Sequence, residues 1–377
     1  MSNKVNLSLS KNHFFGMISG ITLFLVPLNL MFMLPLSALT VLMCAGRFSL
    51  AHQSLIKLTL IFALFILLFL NIVFYKTEEL AIAVPFLVYP AALILVSVLV
   101  LERKFIVGMA HSIFFIFCLD TVFNIYTLIT FSDLLGRTVD FRPGDVFPRL
   151  GGIYAHSFVS IAISMSAFIA SLVTKNRVIT FVVICFMLLS GAFRSPLLIM
   201  VALCGCFVAR FVKNRNALVF LAVLCGLIIF GGIFLLSDAT SNAFRIAALT
   251  FGFTEILVSP LTGSSGYVPI DGGVTLEKLL AAGNSENQLL NFGIHFGIPL
   301  LLTFMTIIYS LTPRNNNRFF DYEDLFVKRV CAFIIIVDLI VTHIFSFFPF
   351  TVFSLIILVR LGLDGPQNQI PKLGLKT

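Results

Sequence analysis

The chain has 377 residues, of which 59% are hydrophobic and 11% are charged, and its mean hydropathy is +1.07. This composition excludes a soluble globular domain and indicates a polytopic membrane protein. The net charge of +8 comes from small basic clusters beside apolar runs, so it does not point to a nucleic-acid partner.

Apolar runs long enough to cross a bilayer core of about 30 Å recur along the chain, and each predicts a transmembrane helix. The alternation typical of a membrane β-barrel is missing from the sequence, so helices are expected. About twelve spans are predicted, near residues 14–30, 31–46, 55–74, 80–101, 105–131, 152–173, 178–193, 196–212, 217–236, 289–311, 330–346 and 348–363. The expected fold class is an all-α polytopic membrane protein, with one integral membrane domain over residues 1–377.

The distribution of Lys and Arg predicts the orientation, because these residues are enriched in short loops on the cytoplasmic side. With the N-terminus inside, most basic residues face the cytoplasm and both chain termini are cytoplasmic. Two outer, periplasmic loops are then expected, residues 132–150 and the larger 237–288, together with a cytoplasmic loop at 312–329.

The larger outer loop contains two predicted short helices. "SNAFRIAALTF" has apolar residues at helical spacing, and Pro260 stops the helix. "TLEKLLAAG" is typical of a second helix, with Thr275 at its start and Gly283 at its end. The stretch between them, "PLTGSSGYVPIDGG", is rich in turn formers and is expected to be irregular.

Three arginines are predicted at the outer face, each beside a membrane boundary: Arg149, Arg194 and Arg245. A charge close to hydrocarbon costs roughly 2.5 to 3.5 kcal/mol unless it is paired. Together these residues could hold a lipid-linked phosphate or pyrophosphate through bidentate hydrogen bonds. The alternative for any single arginine is that it reaches the lipid headgroups.

Carboxylates form the second group of candidates. Glu286 lies at the end of the larger outer loop, where it is suited either to act as a general base or to cap the following helix. Asp120 and Asp338 lie inside predicted spans. They could form a proton relay with His111 and His343, or they could bond to neighbouring helices.

The sequence contains no His, Cys and Asp cluster with metal-ligand spacing, and it contains no glycine-rich phosphate loop. All seven cysteines lie inside apolar runs. No metal and no cofactor are therefore predicted.

Motifs in three places resemble the bacterial O-antigen polymerase and O-antigen ligase superfamily, the Wzy and WaaL types. They are "RLGGIYAHS", "LLSGAFRSPLL", and the combination of "FRIAALTFGFTEILVSPLTGSSGY" with "SENQLLNFGIHFGIPLL". The likeness covers residues 149–311 and is weaker elsewhere.

The resemblance implies a role for each matching residue. Arg245 takes the place of the family's loop arginine, Gly263 and Gly266 form a turn, and Glu286 with Asn287 occupies the family's His-Asn position. Ligases are expected to carry His there, so Glu286 favours a polymerase.

Such an enzyme would join undecaprenyl-pyrophosphate-linked repeat units into a surface polysaccharide at the periplasmic face of the bacterial inner membrane. The transfer would invert the anomeric centre without a metal. The residues implied are Glu286 as base, Arg149, Arg194 and Arg245 on the pyrophosphate, and Arg142 and Asn287 in support. Lipid-linked glycans and membrane lipid are the expected partners, and a chain-length regulator protein is a further candidate.

Two other functions stay open on the sequence. One is a ligase that moves the finished glycan to another acceptor. The other is a lipid-linked oligosaccharide flippase or proton-coupled transporter built around Asp120, Asp338 and His111.

Overall fold

The fold is known from a computed structural model. It describes residues 11–25, 36, 38–39, 41–42, 47–48, 55–75, 91, 93–94, 96, 99–131, 150, 152–154, 157–187, 195–236, 239–263, 288–313, 322–341 and 348–361. Within these ranges the chain is almost wholly helical. One antiparallel pair of two-residue strands, β1 (Arg47–Phe48) and β2 (Leu99–Val100), is also present.

The helices in these ranges are numbered here in chain order. They are α1 (Lys11–Leu25), α2 (Leu55–Tyr75), α3 (Arg103–Thr130), α4 (Ser157–Thr174), α5 (Arg177–Met187), α6 (Ser195–Phe211), α7 (Arg215–Leu236), α8 (Ala239–Val258), α9 (Gln288–Leu311), α10 (Tyr322–Val341) and α11 (Phe348–Arg360). A 3₁₀ turn, Gly152–Tyr154, precedes α4.

Three helices contain segments that are long and apolar enough to cross a bilayer: Arg103–Thr130, Arg215–Ile233 and Phe292–Leu311. They coincide with three of the predicted spans. Shorter apolar helices occupy residues 59–74, 159–174, 177–187, 199–211 and 349–360. The prediction of an α-helical membrane protein is confirmed at this level.

Helix α10 lies at the centre of the described bundle. Every residue from Asp324 to Val341 except the partly buried Phe326 is buried, and the helix packs against α6, α7 and α9. The helix carries the buried charged residues Lys328, Arg329 and Asp338, which need protein rather than lipid around them, and this accounts for its central position. Helices α1 and α3 pack most closely where Gly16 and Gly20 of α1 let the backbone of α3 approach, as small residues do in membrane helix pairs.

Charged side chains join several helix ends at one end of the bundle. Arg103, at the start of α3, forms an ion pair with Asp324 of α10 at 3.1 Å. Lys175, between α4 and α5, pairs with Glu323. These contacts bring together loops that the distribution of basic residues assigns to one side of the membrane.

Helix α10 begins at Tyr322, inside the cytoplasmic loop predicted at residues 312–329. Glu323 and Asp324 lie in its first turn, where the helix dipole favours acidic side chains. In the structure Glu323 and Asp324 pair with Lys175 and Arg103, which come from other parts of the chain.

Candidate functional site

The best-defined part of the candidate site is the turn that follows α8. The helix ends at Val258, two residues before Pro260, and the N–H of Gly263 donates a hydrogen bond of 3.0 Å to the carbonyl of Ser259. Gly263 has a φ of 74°, and a Cβ atom there would overlap the backbone of His295 and Phe296 in α9. Both the positive φ and this close approach require glycine.

Helix α9 is broken where the turn contacts it. Gly297 has φ 78° and ψ 174°, values outside the helical region, and Pro299 follows two residues later. The break frees the N–H of Ile298, which donates a hydrogen bond of 2.8 Å to the carbonyl of Pro260. A Cβ atom at Gly297 would lie 2.7 Å from the carbonyl carbon of Leu261. The backbone of the turn therefore packs directly against the backbone of α9 at the break.

A third helix secures the same turn. The side-chain amide of Asn71, in α2, donates a hydrogen bond of 3.0 Å to the carbonyl of Thr262. Asn71 is buried, and its Oδ1 atom has no hydrogen-bond partner among the described residues. Sequence reasoning missed this residue. The available signal was a lone amide inside the apolar run "LLFLNIVF".

Helix α8 runs alongside the first half of α9 in the same direction. Gly252 faces Leu290 and Ile294, Ile256 faces Gly293, and the turn after α8 meets Gly297. From Gly252 to Pro260, the contacts on α9 move forward overall from Leu290 and Ile294 to Ile298. The two helices are therefore parallel, with a register set by these contacts.

This register gives the position of Arg245 relative to α9 along the axis of the helix pair. The backbone of Arg245 lies in α8. Arg245 precedes Gly252 by two helical turns, about 10 Å, on the same face. Gln288, the first residue of α9, lies only about 3 to 9 Å before Leu290 and Ile294, the residues that face Gly252. Position 245 is therefore level with the N-terminus of α9 or a few ångströms beyond it.

Asp120 lies in a second polar cluster, and it is 1% exposed. Its carboxylate accepts hydrogen bonds from the Ser160 hydroxyl at 2.5 Å, from the Asn124 amide at 3.1 Å and from the backbone N–H of Ile153 at 3.0 Å. A Cβ atom at Gly152 would overlap the carboxylate. Asp120 thus fixes the 3₁₀ turn that follows Arg149 in the chain.

The histidine expected to join a relay with Asp120 lies elsewhere. His111 precedes Asp120 by nine residues in α3, a helical rise of about 13 Å, and its Nδ1 atom lies 2.9 Å from Nε2 of His13 in α1. Asp338 is buried in α10. His343 lies outside the described residues.

Most of the predicted site residues lie outside the part of the chain that the structure describes. These are Arg142, Arg149, Arg194, Gly266, Glu286 and Asn287, as well as the side chain of Arg245. Their neighbours in the chain are nevertheless placed: Leu150 and Gly152 after Arg149, Ser195 after Arg194, and Gln288 after Asn287. The described residues thus form the scaffold from which the candidate site residues extend.

Comparison of the chain with protein-family models, with curated proteins and with solved structures gives no match.

Replacing either glycine of the contact between the turn and α9 should destabilise the protein. We expect Gly263→Ala and Gly297→Ala each to lower the free energy of unfolding by about 1 to 3 kcal/mol, because alanine is strained at positive φ and its Cβ meets backbone atoms. Thermal unfolding in detergent measures the effect. The control is Gly231→Ala in α7, where a Cβ meets nothing within 4 Å and no loss is expected. Unchanged stability in both test variants would contradict this packing.

Removal of the Asp120 carboxylate should release the turn at residues 152–154. In Asp120→Ala the N–H of Ile153 loses its acceptor, so we expect its hydrogen exchange to become about tenfold faster or more. Asp120→Asn keeps one carbonyl oxygen and should preserve most of the protection. The control is Ser112→Ala, which removes a local hydrogen bond to Met109 within the same helix. Equal exchange in Asp120→Ala and the wild type would argue against an anchoring role.

Proposed function

We propose that the protein is a membrane glycosyltransferase that polymerises undecaprenyl-pyrophosphate-linked oligosaccharide repeat units at the periplasmic face of the bacterial inner membrane. One structural observation supports the proposal in addition to the sequence motifs. The parallel register of α8 and α9 brings position 245 level with the start of α9. Glu286 precedes that start by two residues of chain, which span at most about 7 Å. Position 245 and Gln288, the first described residue after Glu286 in the chain, thus lie at one end of one helix pair.

This arrangement suits the chemistry that joins two lipid-linked glycans. The acceptor hydroxyl oxygen attacks the anomeric carbon of the donor, and the bond from that carbon to the pyrophosphate oxygen breaks. The electron pair leaves with undecaprenyl pyrophosphate, and the hydroxyl proton passes to Glu286 as general base. Attack opposite the leaving group inverts the anomeric centre, so one carboxylate is sufficient, whereas retaining glycosidases need a nucleophile and an acid.

The leaving pyrophosphate needs positive charge more than it needs a proton. Arg245 is the first candidate to supply that charge, with Arg149 and Arg194 beside it, because guanidinium groups bind phosphate oxygens in pairs. Asp120 would help indirectly by fixing the turn three residues after Arg149. Arg142 and Asn287 complete the proposed site, and no metal or organic cofactor takes part in the proposed step.

Two alternatives, a ligase and a proton-coupled transporter, are tested by the same polymerisation assay as the proposal. A ligase would transfer the finished glycan to a different acceptor, and it is disfavoured because Glu286 stands where the resembling ligases are expected to carry His. A proton-coupled transporter would need Asp120 to exchange protons during transport. The three hydrogen bonds that Asp120 accepts instead suit a structural anchor.

Glu286→Gln should abolish polymerisation, because the amide cannot accept the proton of the acceptor hydroxyl. The measurement uses purified protein and undecaprenyl-pyrophosphate repeat units, without added metal or nucleotide, and resolves the products by size. We expect a ladder from the wild type and a loss of about 10²-fold or more in Glu286→Gln.

The matched control is Glu277→Gln, which removes an acidic residue from the same loop and should leave the ladder intact. If the wild type does not lengthen the glycan, the polymerase proposal fails, and ligation or transport takes its place. If the two variants keep equal activity, Glu286 is not the base.

A further inference from the structure

A continuous apolar surface runs along the second half of α8 and into the turn at residues 259–263. Phe253, Leu257 and Leu261 follow one another at intervals of four residues, and Leu257 and Leu261 are 75% and 72% exposed. Val258 beside them is equally open. Large apolar side chains at this spacing form one stripe, which in water would normally be packed against protein.

The contact between the turn and α9 fixes the depth of this apolar stripe along the membrane-spanning segment. Ile298, whose N–H bonds to the Pro260 carbonyl, lies inside the membrane-spanning segment Phe292–Leu311, six residues from its start. Six residues of helix correspond to about 9 Å of depth. The turn after α8 therefore lies well inside the length of a helix that crosses the bilayer.

The same surface continues onto α9. Ile298, Leu302 and Met305 are exposed apolar residues of the spanning segment, and in a membrane they face lipid. Leu261 adjoins them, because its backbone contacts Gly297. The stripe on α8 is thus an extension of a lipid-facing surface.

Several backbone polar groups of the turn are hydrogen-bonded to protein, as burial in hydrocarbon requires. Non-helical backbone is tolerated at membrane depth only where its polar groups are satisfied by protein. Here the Pro260 carbonyl accepts from the Ile298 N–H, and the Thr262 carbonyl accepts from the Asn71 amide. The N–H groups of Ser259 and Gly263 donate to carbonyls of the preceding turns.

We propose that residues 252–263 form a re-entrant element, which enters the bilayer from the side on which α9 begins and contacts lipid acyl chains through Phe253, Leu257 and Leu261. The middle of the predicted outer loop 237–288 is then embedded in the membrane. Arg245, about 10 Å earlier along α8, falls at the interface where phosphate groups lie. The element depends only on packing and depth, so it stands apart from the proposed enzymatic activity.

The test uses fluorescence depth measurement, for which this chain is well suited because it contains no tryptophan. Single-tryptophan variants Leu257→Trp and Leu261→Trp are reconstituted in vesicles of phosphatidylcholine with and without bromine atoms deep in the acyl chains. Leu302→Trp on α9 is the positive control. Ala243→Trp, an exposed position near the start of α8, is the control outside the hydrocarbon.

We expect both test variants to emit at short wavelength and to be quenched by brominated lipid, while Ala243→Trp is not quenched. Quenching should increase from Leu257→Trp to Leu261→Trp to Leu302→Trp, because these positions lie progressively further along the spanning segment. Quenching no stronger than that of Ala243→Trp, with emission at long wavelength, would place the element in water and overturn the proposal. Short-wavelength emission without quenching would also overturn it, because the stripe would then be covered by the protein's own residues 264–287.

Discussion

The break in α9 at Gly297 is the constraint on which the rest of the candidate site depends. A continuous helix would use the N–H of Ile298 internally, whereas the break frees this donor for the carbonyl of Pro260. The turn that receives it can approach only because Gly263 and Gly297 lack side chains. This contact fixes the depth and direction of α8. It therefore determines where Arg245 emerges relative to the chain that carries Glu286.

Asp120 performs a comparable task at the other predicted loop. Its carboxylate is buried among donors on α3 and α4 and holds the N–H of Ile153, three residues after the chain leaves the loop that ends at Leu150. In both places a polar contact that takes no part in the proposed chemistry fixes the point from which an arginine-bearing segment extends. An enzyme of the proposed kind, whose substrate is anchored in lipid, would benefit from such fixed points, because the reacting groups must meet at one depth.

The sequence predicted those features that depend on local composition. The spans seen in α3, α7 and α9 follow from the length of their apolar runs, and the end of α8 follows from Pro260. The docking of the turn was not predictable, because the partner of the Ile298 N–H comes from a distant part of the chain. The start of α10 at Tyr322 was missed for a similar reason: Arg103 and Lys175, which pair with Asp324 and Glu323 of its first turn, come from distant parts of the chain.

The most direct test of the account is a cross-link that reports the parallel register of α8 and α9. In a variant whose seven native cysteines are replaced, Ile256→Cys and Gly293→Cys face each other, and shortening Ile256 makes room for the second side chain. We predict rapid disulfide formation under mild oxidation. The pair Ala243→Cys and Gly293→Cys, displaced by about 20 Å along α8, should stay reduced. Equal cross-linking of the two pairs, or of neither, would contradict the register and the site built on it.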